Sequence, residues 1–414
     1  MVNLQTQDPK IYNLIQKELK RQKENLRLIP SENYVSRAVL EATGSVLTNK
    51  YSEGYPRKRY YEGQEFIDQI EELARTRACK LFGVDHANVQ PYSGSPANLE
   101  VFFALLKPHD KIMGMSLPHG GHLTHGWKVS ATAKYYTSVQ YTVNPETKYL
   151  DYDAILKLAK RERPKIIIAG ATAYPRQFDF KKFRAIADEV GAYFLADIAH
   201  IAGLIVAHMH PDPAPYADVI TTTTHKTLRG PRGAMILSKE KYKEAIDRAV
   251  FPALQGGPHN HTTAAIAVAL DEASKPSFVE YGRQVVKNAK VLAEELINFG
   301  FDLVTGGTDN HLMLIDMTNK GVTGKEASRA LARAGIFCNC NTVPFDSRPP
   351  FDPSGIRIGT PAVTSRGMKE PEMKKIAHWI NEVIENIKDK AKLKKINKEV
   401  KAFCLQFKMP GADD

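Results

Sequence analysis

Cysteine is scarce in this chain: Cys79, Cys338, Cys340 and Cys404 are the four among 414 residues. Their scatter excludes a disulfide framework and points to a reduced, cytoplasmic protein. Cys338-Asn339-Cys340 has no second Cys or His pair at finger-like spacing, so it reads as structural and no metal is expected. No stretch approaches the roughly 20 apolar residues of a membrane span. The opening MVNLQTQDPKIYNLIQ lacks the basic start and continuous apolar run of a signal peptide. Internal repeats and low-complexity linkers are missing as well, which argues against a repeat array.

What is there is an ordinary globular composition, 43% hydrophobic and 25% charged, with a net charge of +11. The length fits two or three domains. Much of the positive excess lies near the C-terminus, where Lys390, Lys394, Lys395 and Lys398 alternate with Leu393, Ile396, Val400 and Phe403. Those apolar positions share one helix face, so the lysines form its solvated side. No nucleic-acid reading module is recognisable. Small-molecule partners are expected, with neither a membrane nor a nucleic acid.

Asp8-Pro9 reads as the cap and first turn of a helix carrying Ile11, Leu14 and Ile15, a one-sided helix suited to packing on a partner subunit. From about Ala78 to Ala273 short apolar runs alternate with helical stretches. Lys165–Ala169 and Tyr193–Ala196 read as buried strands, and Phe183–Val190, closed by Gly191, as the helix between them. This order predicts an α/β fold with a mainly parallel sheet covered on both faces, its ligand beyond the carboxyl ends of the strands. Arg283–Phe299 begins a smaller α+β unit, with a strand over His311–Asp316 and a helix over Lys325–Ala334.

The chemistry centres on Thr221-Thr-Thr-Thr-His225-Lys226-Thr-Leu-Arg229-Gly-Pro-Arg232-Gly233. A lysine used as an amine nucleophile must spend time deprotonated, and neighbouring cations lower its pKa. The hydroxyls and the two arginines around Lys226 also suit a phosphate, the joint requirement of a pyridoxal phosphate Schiff base. Asp197, just after a buried strand, is placed to keep a pyridine nitrogen protonated, and His200 to reach a phenol oxygen or a substrate carboxylate. Ser93-Gly94-Ser95 opens a helix and forms an anion site. His119, His122 and His125 recur every third residue, but Gly120 and Gly121 favour a loop close to a ligand, with His122 as an aromatic lid. Glu53, among Tyr51, Tyr55, Tyr60 and Tyr61, is a candidate acid/base once burial raises its pKa. Arg357 within Gly355–Gly359 suits a carboxylate, and the turn Gln255-Gly-Gly-Pro258 a second phosphate contact.

These segments resemble serine hydroxymethyltransferases, and the resemblance runs nearly end to end. It is carried by LIPSEN (28–33), NKYSEGYPRKRYYEG (49–63), GGHLTHG (120–126), DIAHIAGL (197–204), TTTTHKTLRGPRG (221–233), QGGP (255–258), GGTDNHL (306–312) and GIRIGTPA (355–362). The resemblance implies a fold-type I (aspartate aminotransferase-like) enzyme using pyridoxal 5'-phosphate, with tetrahydrofolate as co-substrate. It implies an N-terminal arm over 1–77 with dimer contacts and a site loop, a cofactor domain over 78–275 and a small α+β domain over 276–414. The expected assembly is a homodimer with shared sites.

Lys226 then resembles the Schiff-base lysine beside His225, Asp197 the ring-nitrogen partner and His122 the ring-stacking residue. Ser93, Gly94, Ser95, Thr172 and His200 resemble cofactor contacts, with Tyr51 and Gly257 reaching in from the neighbouring subunit. Ser31, His200 and Arg357 resemble substrate contacts, while Glu53 and Tyr61 serve catalysis and substrate alike. Glu53, Tyr60, Leu117, Gly121, Leu123, Asn341 and Phe351 would border the folate. The sequence departs from the usual family pattern at Pro30, Pro96, Thr172, Cys340 and Pro349, of which Cys340 and Pro349 are expected towards the folate side.

Overall fold

The computed structural model describes residues 3–413. Its largest element is a seven-stranded sheet: β1 (His86–Asn88), β2 (Lys111–Met115), β3 (Thr137–Tyr141), β4 (Ile166–Ala169), β5 (Tyr193–Asp197), β6 (Val219–Thr223) and β7 (Ala234–Ser238). The spatial order is β1-β7-β6-β5-β4-β2-β3. Strands β3, β2, β4, β5 and β6 run parallel, and β7 pairs antiparallel with both β6 and β1. The mainly parallel reading therefore holds, with an antiparallel margin. Residues of β4 are all buried, as expected of a strand covered on both faces.

Local signals explain the helices beside it. Phe180–Val190 begins at Asp179, whose side chain accepts from the Lys182 N–H, and ends at Gly191 in the left-handed region (φ 68°). The helix thus starts three residues earlier than the apolar spacing predicts. The expected helix at Asp8-Pro9 spans Pro9–Glu24 and carries the Asp8 cap. Ile11, Leu14 and Ile15 are all exposed on it. No helix among the described residues is long and apolar enough to cross a membrane.

A second sheet is antiparallel and four-stranded. Its strands β8 (Asp302–Leu303), β9 (Leu312–Asp316), β10 (Asn339–Asn341) and β11 (Gly355–Gly359) lie in the order β8-β9-β11-β10. Helix Gly324–Arg333 covers it, closed at its start by a Thr323/Glu326 capping box. The long helix Pro276–Asn298 starts seven residues before the predicted Arg283, with Pro276 in its first turn. Its first half contributes Phe278, Tyr281 and Val285 to the core around the large sheet, and its second half Ala289, Leu292 and Leu296 to the other core. One helix is therefore shared between both cores. The C-terminal helix Lys390–Cys404 buries Leu393, Ile396, Val400 and Phe403, as their spacing predicts.

Candidate active site

The carboxyl ends of β5 and β6 open towards the start of helix Gly94–Leu105 and towards β11 of the second sheet. Between them lies a cavity of about 500 Å³. Ser31, Ser93, Gly94, Ser95, His122, Thr172, His200, His225, Lys226 and Arg357 all line it, joined by Leu117, Leu123 and Asn341. Most of the predicted pocket residues are thus brought together from distant parts of the chain.

Helix Gly94–Leu105 starts at Ser93, and Pro96 stands in its first turn, where no intrahelical hydrogen bond is lost. The N–H groups of Gly94 and Ser95 remain as orphan donors at the cavity. Gly94 is dictated by packing, since a Cβ there would lie 2.8 Å from Thr223 Cγ2. That contact presses the helix start against the end of β6.

Asp197 is the last residue of β5 and sits in a hydrogen-bond network that local sequence does not reveal. Its Oδ2 accepts from Asn98 Nδ2 and from His125 Nε2, each at 2.9 Å, and its Oδ1 from the Ala199 N–H at 3.1 Å. Thr221 donates to Asn98 Oδ1 at 2.6 Å and fixes the amide. Burial alone would push the Asp197 carboxyl up, but His125, His122 and Asn98 hold it well below the usual carboxylate range. His125 Nδ1 accepts from the His122 N–H, so its ring proton lies on Nε2, towards Asp197. His122 Nδ1 accepts from Thr124, and burial, with His125 adding to it, pushes His122 down to about 4. His122, His125 and Asp197 stand close enough to hold a metal ion. Asp197, His125 and His122 Nδ1 are already paired with one another or with Thr124, Asn98 and Ala199, which suits a hydrogen-bonded carboxylate better.

Lys226 faces this network. Burial pushes its ammonium down to about 8, opposed by Asp197 and reinforced by Arg357 and Arg232. Arg357 lies on β11, bonded to Asn339 Oδ1 and to the Thr172 carbonyl, and burial lowers it to about 10. Lys226, Arg232 and Arg357 form no ion pair within 4 Å among the described residues, although each lines the cavity. Lys226 and Arg357 are shifted by burial while Arg232 is exposed at the cavity, and three cations around one cavity with no carboxylate partner call for an anionic ligand.

Two expectations for the Thr-rich run need correction. Arg229 does not flank the cavity: its φ is 59°, and its guanidinium lies 4.1 Å from the ring centre of Tyr281. Arg232 alone serves the pocket. All four threonine hydroxyls are spent, with Thr221, Thr222, Thr223 and Thr224 donating to Asn98 and to the carbonyls of Thr223, Ala199 and Pro231 in turn, although Thr223 also lines the cavity. Thr172 donates to the Gly121 carbonyl at 3.0 Å, placing Gly121 behind the Thr172 segment. Cys340 alternates with Asn339 and Asn341 on β10, so its side chain lies on the opposite face of the strand from the cavity.

A second group stands apart. Tyr51 donates to Glu53 at 3.2 Å, stacks edge-on with Tyr61 at 5.2 Å and covers Gly257. Tyr51, Tyr60 and Tyr61 are exposed, and Tyr60 packs on Phe251 at 5.7 Å. Phe351 is exposed on its own loop. None of Tyr51, Glu53, Tyr60, Tyr61, Gly257 and Phe351 lines the Lys226 cavity. Buried Arg59 anchors the loop from beneath, bonding Asp68, Glu71 and the carbonyls of Ser52 and Gly54. The loop is braced, and its chemistry faces outward.

A family model described as serine hydroxymethyltransferase matches residues 4–380. The chain belongs to the serine hydroxymethyltransferase family. It is 63% identical over 412 residues to the serine hydroxymethyltransferase of Acidothermus cellulolyticus, covering 98% of this chain and 96% of that protein. The proteins of that name from Sorangium cellulosum (63%, 98% and 96% covered) and Desulfotalea psychrophila (62%, 100% and 97% covered) are equally similar. Membership makes the chain a fold-type I, PLP-dependent one-carbon transferase, in keeping with its parallel sheet.

Asn98 and Thr124 belong to the site but carry no signal in the sequence. His125 carried one, as the third of the spaced histidines, and Arg232 another, as half of the arginine pair after Lys226.

Proposed function

We propose that the protein reversibly transfers the hydroxymethyl carbon of L-serine to tetrahydrofolate, yielding glycine and 5,10-methylenetetrahydrofolate. The observation that carries this reading is the buried triangle of Lys226, the Asp197 network and unpaired Arg357 around one cavity. The donor set fits pyridoxal phosphate. Ser93, Gly94, Ser95 and Arg232 would hold its phosphate, Asp197 its ring nitrogen and His122 its face, with His200 at its phenol oxygen, joined by Thr172 once its hydroxyl turns from the Gly121 carbonyl. When bound, the cofactor supplies a carbonyl that takes up an amine and a ring that draws electrons away from it.

The chain's own residues do the rest. A neutral Lys226 amine is available near pH 8, because burial disfavours its charged form. Arg357, with Ser31 and His200, grips the serine carboxylate and fixes which bond at Cα is turned towards the ring. Leu117, Leu123 and Asn341 form the wall facing the folate. Glu53, supported by Tyr51 and Tyr61, moves the proton of the serine hydroxyl. Because Glu53 and its tyrosines lie on an exposed loop outside this cavity, they serve the cavity of a second copy, in a homodimer with shared sites. Gly257 and Tyr60 enter the same way.

Serine cleavage measured with and without tetrahydrofolate tests the proposal. Folate-dependent formation of glycine and methylenetetrahydrofolate is expected. Equal cleavage without folate would replace the transferase reading with a plain aldolase.

A further inference from the structure

His311 immediately precedes β9 of the second sheet, yet its ring reaches His200 in the cavity wall. The two rings stack with centres 5.5 Å apart, and His200 Nδ1 lies 3.3 Å from His311 Nε2. His200 is 4% exposed and His311 fully buried. The other nitrogen of His311, Nδ1, is buried without a hydrogen-bond partner among the described residues. Its backbone is committed elsewhere, with the His311 carbonyl accepting from the Thr360 N–H.

These facts decide where the protons sit. Burial, with Arg357 and Lys226 as neighbouring cations, pushes His311 down to about 3. Burial and the same two cations push His200 well below its ordinary value. Both rings are neutral, so each carries one proton and one lone pair. Of the two facing nitrogens, one donates and the other accepts. If His311 carried its proton on Nδ1, that N–H would be orphaned in the core, whereas a bare Nδ1 leaves only an unpaired acceptor there. Buried unpaired donors are the rarer and costlier defect. The proton of His311 therefore belongs on Nε2, donated to His200 Nδ1, and the proton of His200 on its own Nε2.

We propose that His311 is a positioning residue that locks His200 as the Nε2–H tautomer, making it a hydrogen-bond donor to an anionic oxygen of the ligand in the Lys226 cavity. A donor, not an acceptor, is what a carboxylate or phenolate oxygen needs at that wall. Fixing the tautomer from behind resembles the way an outer hydrogen bond selects which ring nitrogen of a histidine is free to act. The lock itself rests only on the two rings. The identity of the oxygen rests on the serine and pyridoxal phosphate reading above.

The test is nitrogen NMR on cofactor-loaded protein with 15N-labelled histidine, the His200 signal being the one that disappears in His200→Asn. The proposal expects a protonated Nε2 and a bare Nδ1 in the native protein. In His311→Leu the Nδ1–H form should become populated, and the KM for serine should rise about fivefold with little change in kcat, the size of one ordinary hydrogen bond. Native His200 protonated on Nδ1 would overturn the lock, and so would an unchanged tautomer in His311→Leu. If the leucine variant does not fold, the native tautomer alone decides. The expected tautomer without any serine turnover would uphold the lock and sink the functional reading instead.

Discussion

The Lys226 cavity and the Tyr51–Tyr61 loop carry chemistry of the same density but differ in completeness. Around Lys226 the side chains converge from both sheets, are mostly half-buried, and leave three cations without an ion-pair partner among the described residues. On the loop, Glu53 and three tyrosines are held from below by the buried Arg59 hub while their reactive ends face outward. A loop ordered at that cost and then exposed makes sense when its ligand comes from outside the chain. The contrast separates a half-site that folding alone completes from one that association completes.

Removing the core of the first half-site should have the largest effect. Lys226→Ala is expected to lower turnover on the order of 10³-fold or more, since it deletes the amine on which the chemistry depends. Near-native turnover in a steady-state assay would end the assignment. On the second half-site, Glu53→Gln should reduce kcat by roughly 10²–10⁴-fold, the range of general acid/base catalysis. Mixing the two inactive proteins and allowing subunit exchange tells the two half-sites apart. If Glu53 serves the neighbour's cavity, each heterodimer regains one intact site, and an equal mixture recovers about a quarter of native activity. No recovery, with exchange shown by mass spectrometry, would return Glu53 to its own chain.

Arg357→Lys probes the substrate side of the first half-site with a smaller change. Lysine keeps the charge but loses the fork, and its shorter donor set cannot hold Asn339, the Thr172 carbonyl and a carboxylate together. A rise in KM for serine of about 10- to 100-fold is expected, the span of one or two charge-assisted hydrogen bonds. An unaltered KM would show that the carboxylate is gripped elsewhere.

The two regions also differ in how far they could be read from sequence. Strand order, the Gly191 stop and the first-turn Ser93 rest on neighbours in the chain, and local rules recover them. So did the pairing of Lys226 with Asp197 and Arg357, because each sits at the end or middle of a recognisable strand. The Asn98–Asp197–His125 network could not be read, since its members lie 27 to 99 positions apart and meet only through sheet order. His311 looked like a strand start and nothing more. Arg229 shows the opposite failure: adjacency to Lys226 suggested a shared role, but a left-handed backbone turns it onto Tyr281. Where the chain folds back on itself, proximity in sequence misleads.

The smallest expected effect concerns the stability of the cofactor-free protein and isolates the Lys226 environment without any turnover. Burial holds Lys226 near 8, against an ordinary 10.5 in the unfolded chain. Between those values the unfolded chain binds more protons at this site than the folded one, so this contribution to stability rises with pH across that window. Below about 8 both states are protonated, and the folded protein bears the full cost of a buried ammonium. Lys226→Met removes the titration while keeping the side-chain length. In urea denaturation the native protein should therefore fall furthest below the variant near pH 7, and the gap should narrow steadily towards pH 10. A gap that stays flat or widens over that range would mean that the lysine is as well solvated or paired when folded as when unfolded. The preformed half-site would then lose its distinguishing property, a buried amine kept close to neutrality.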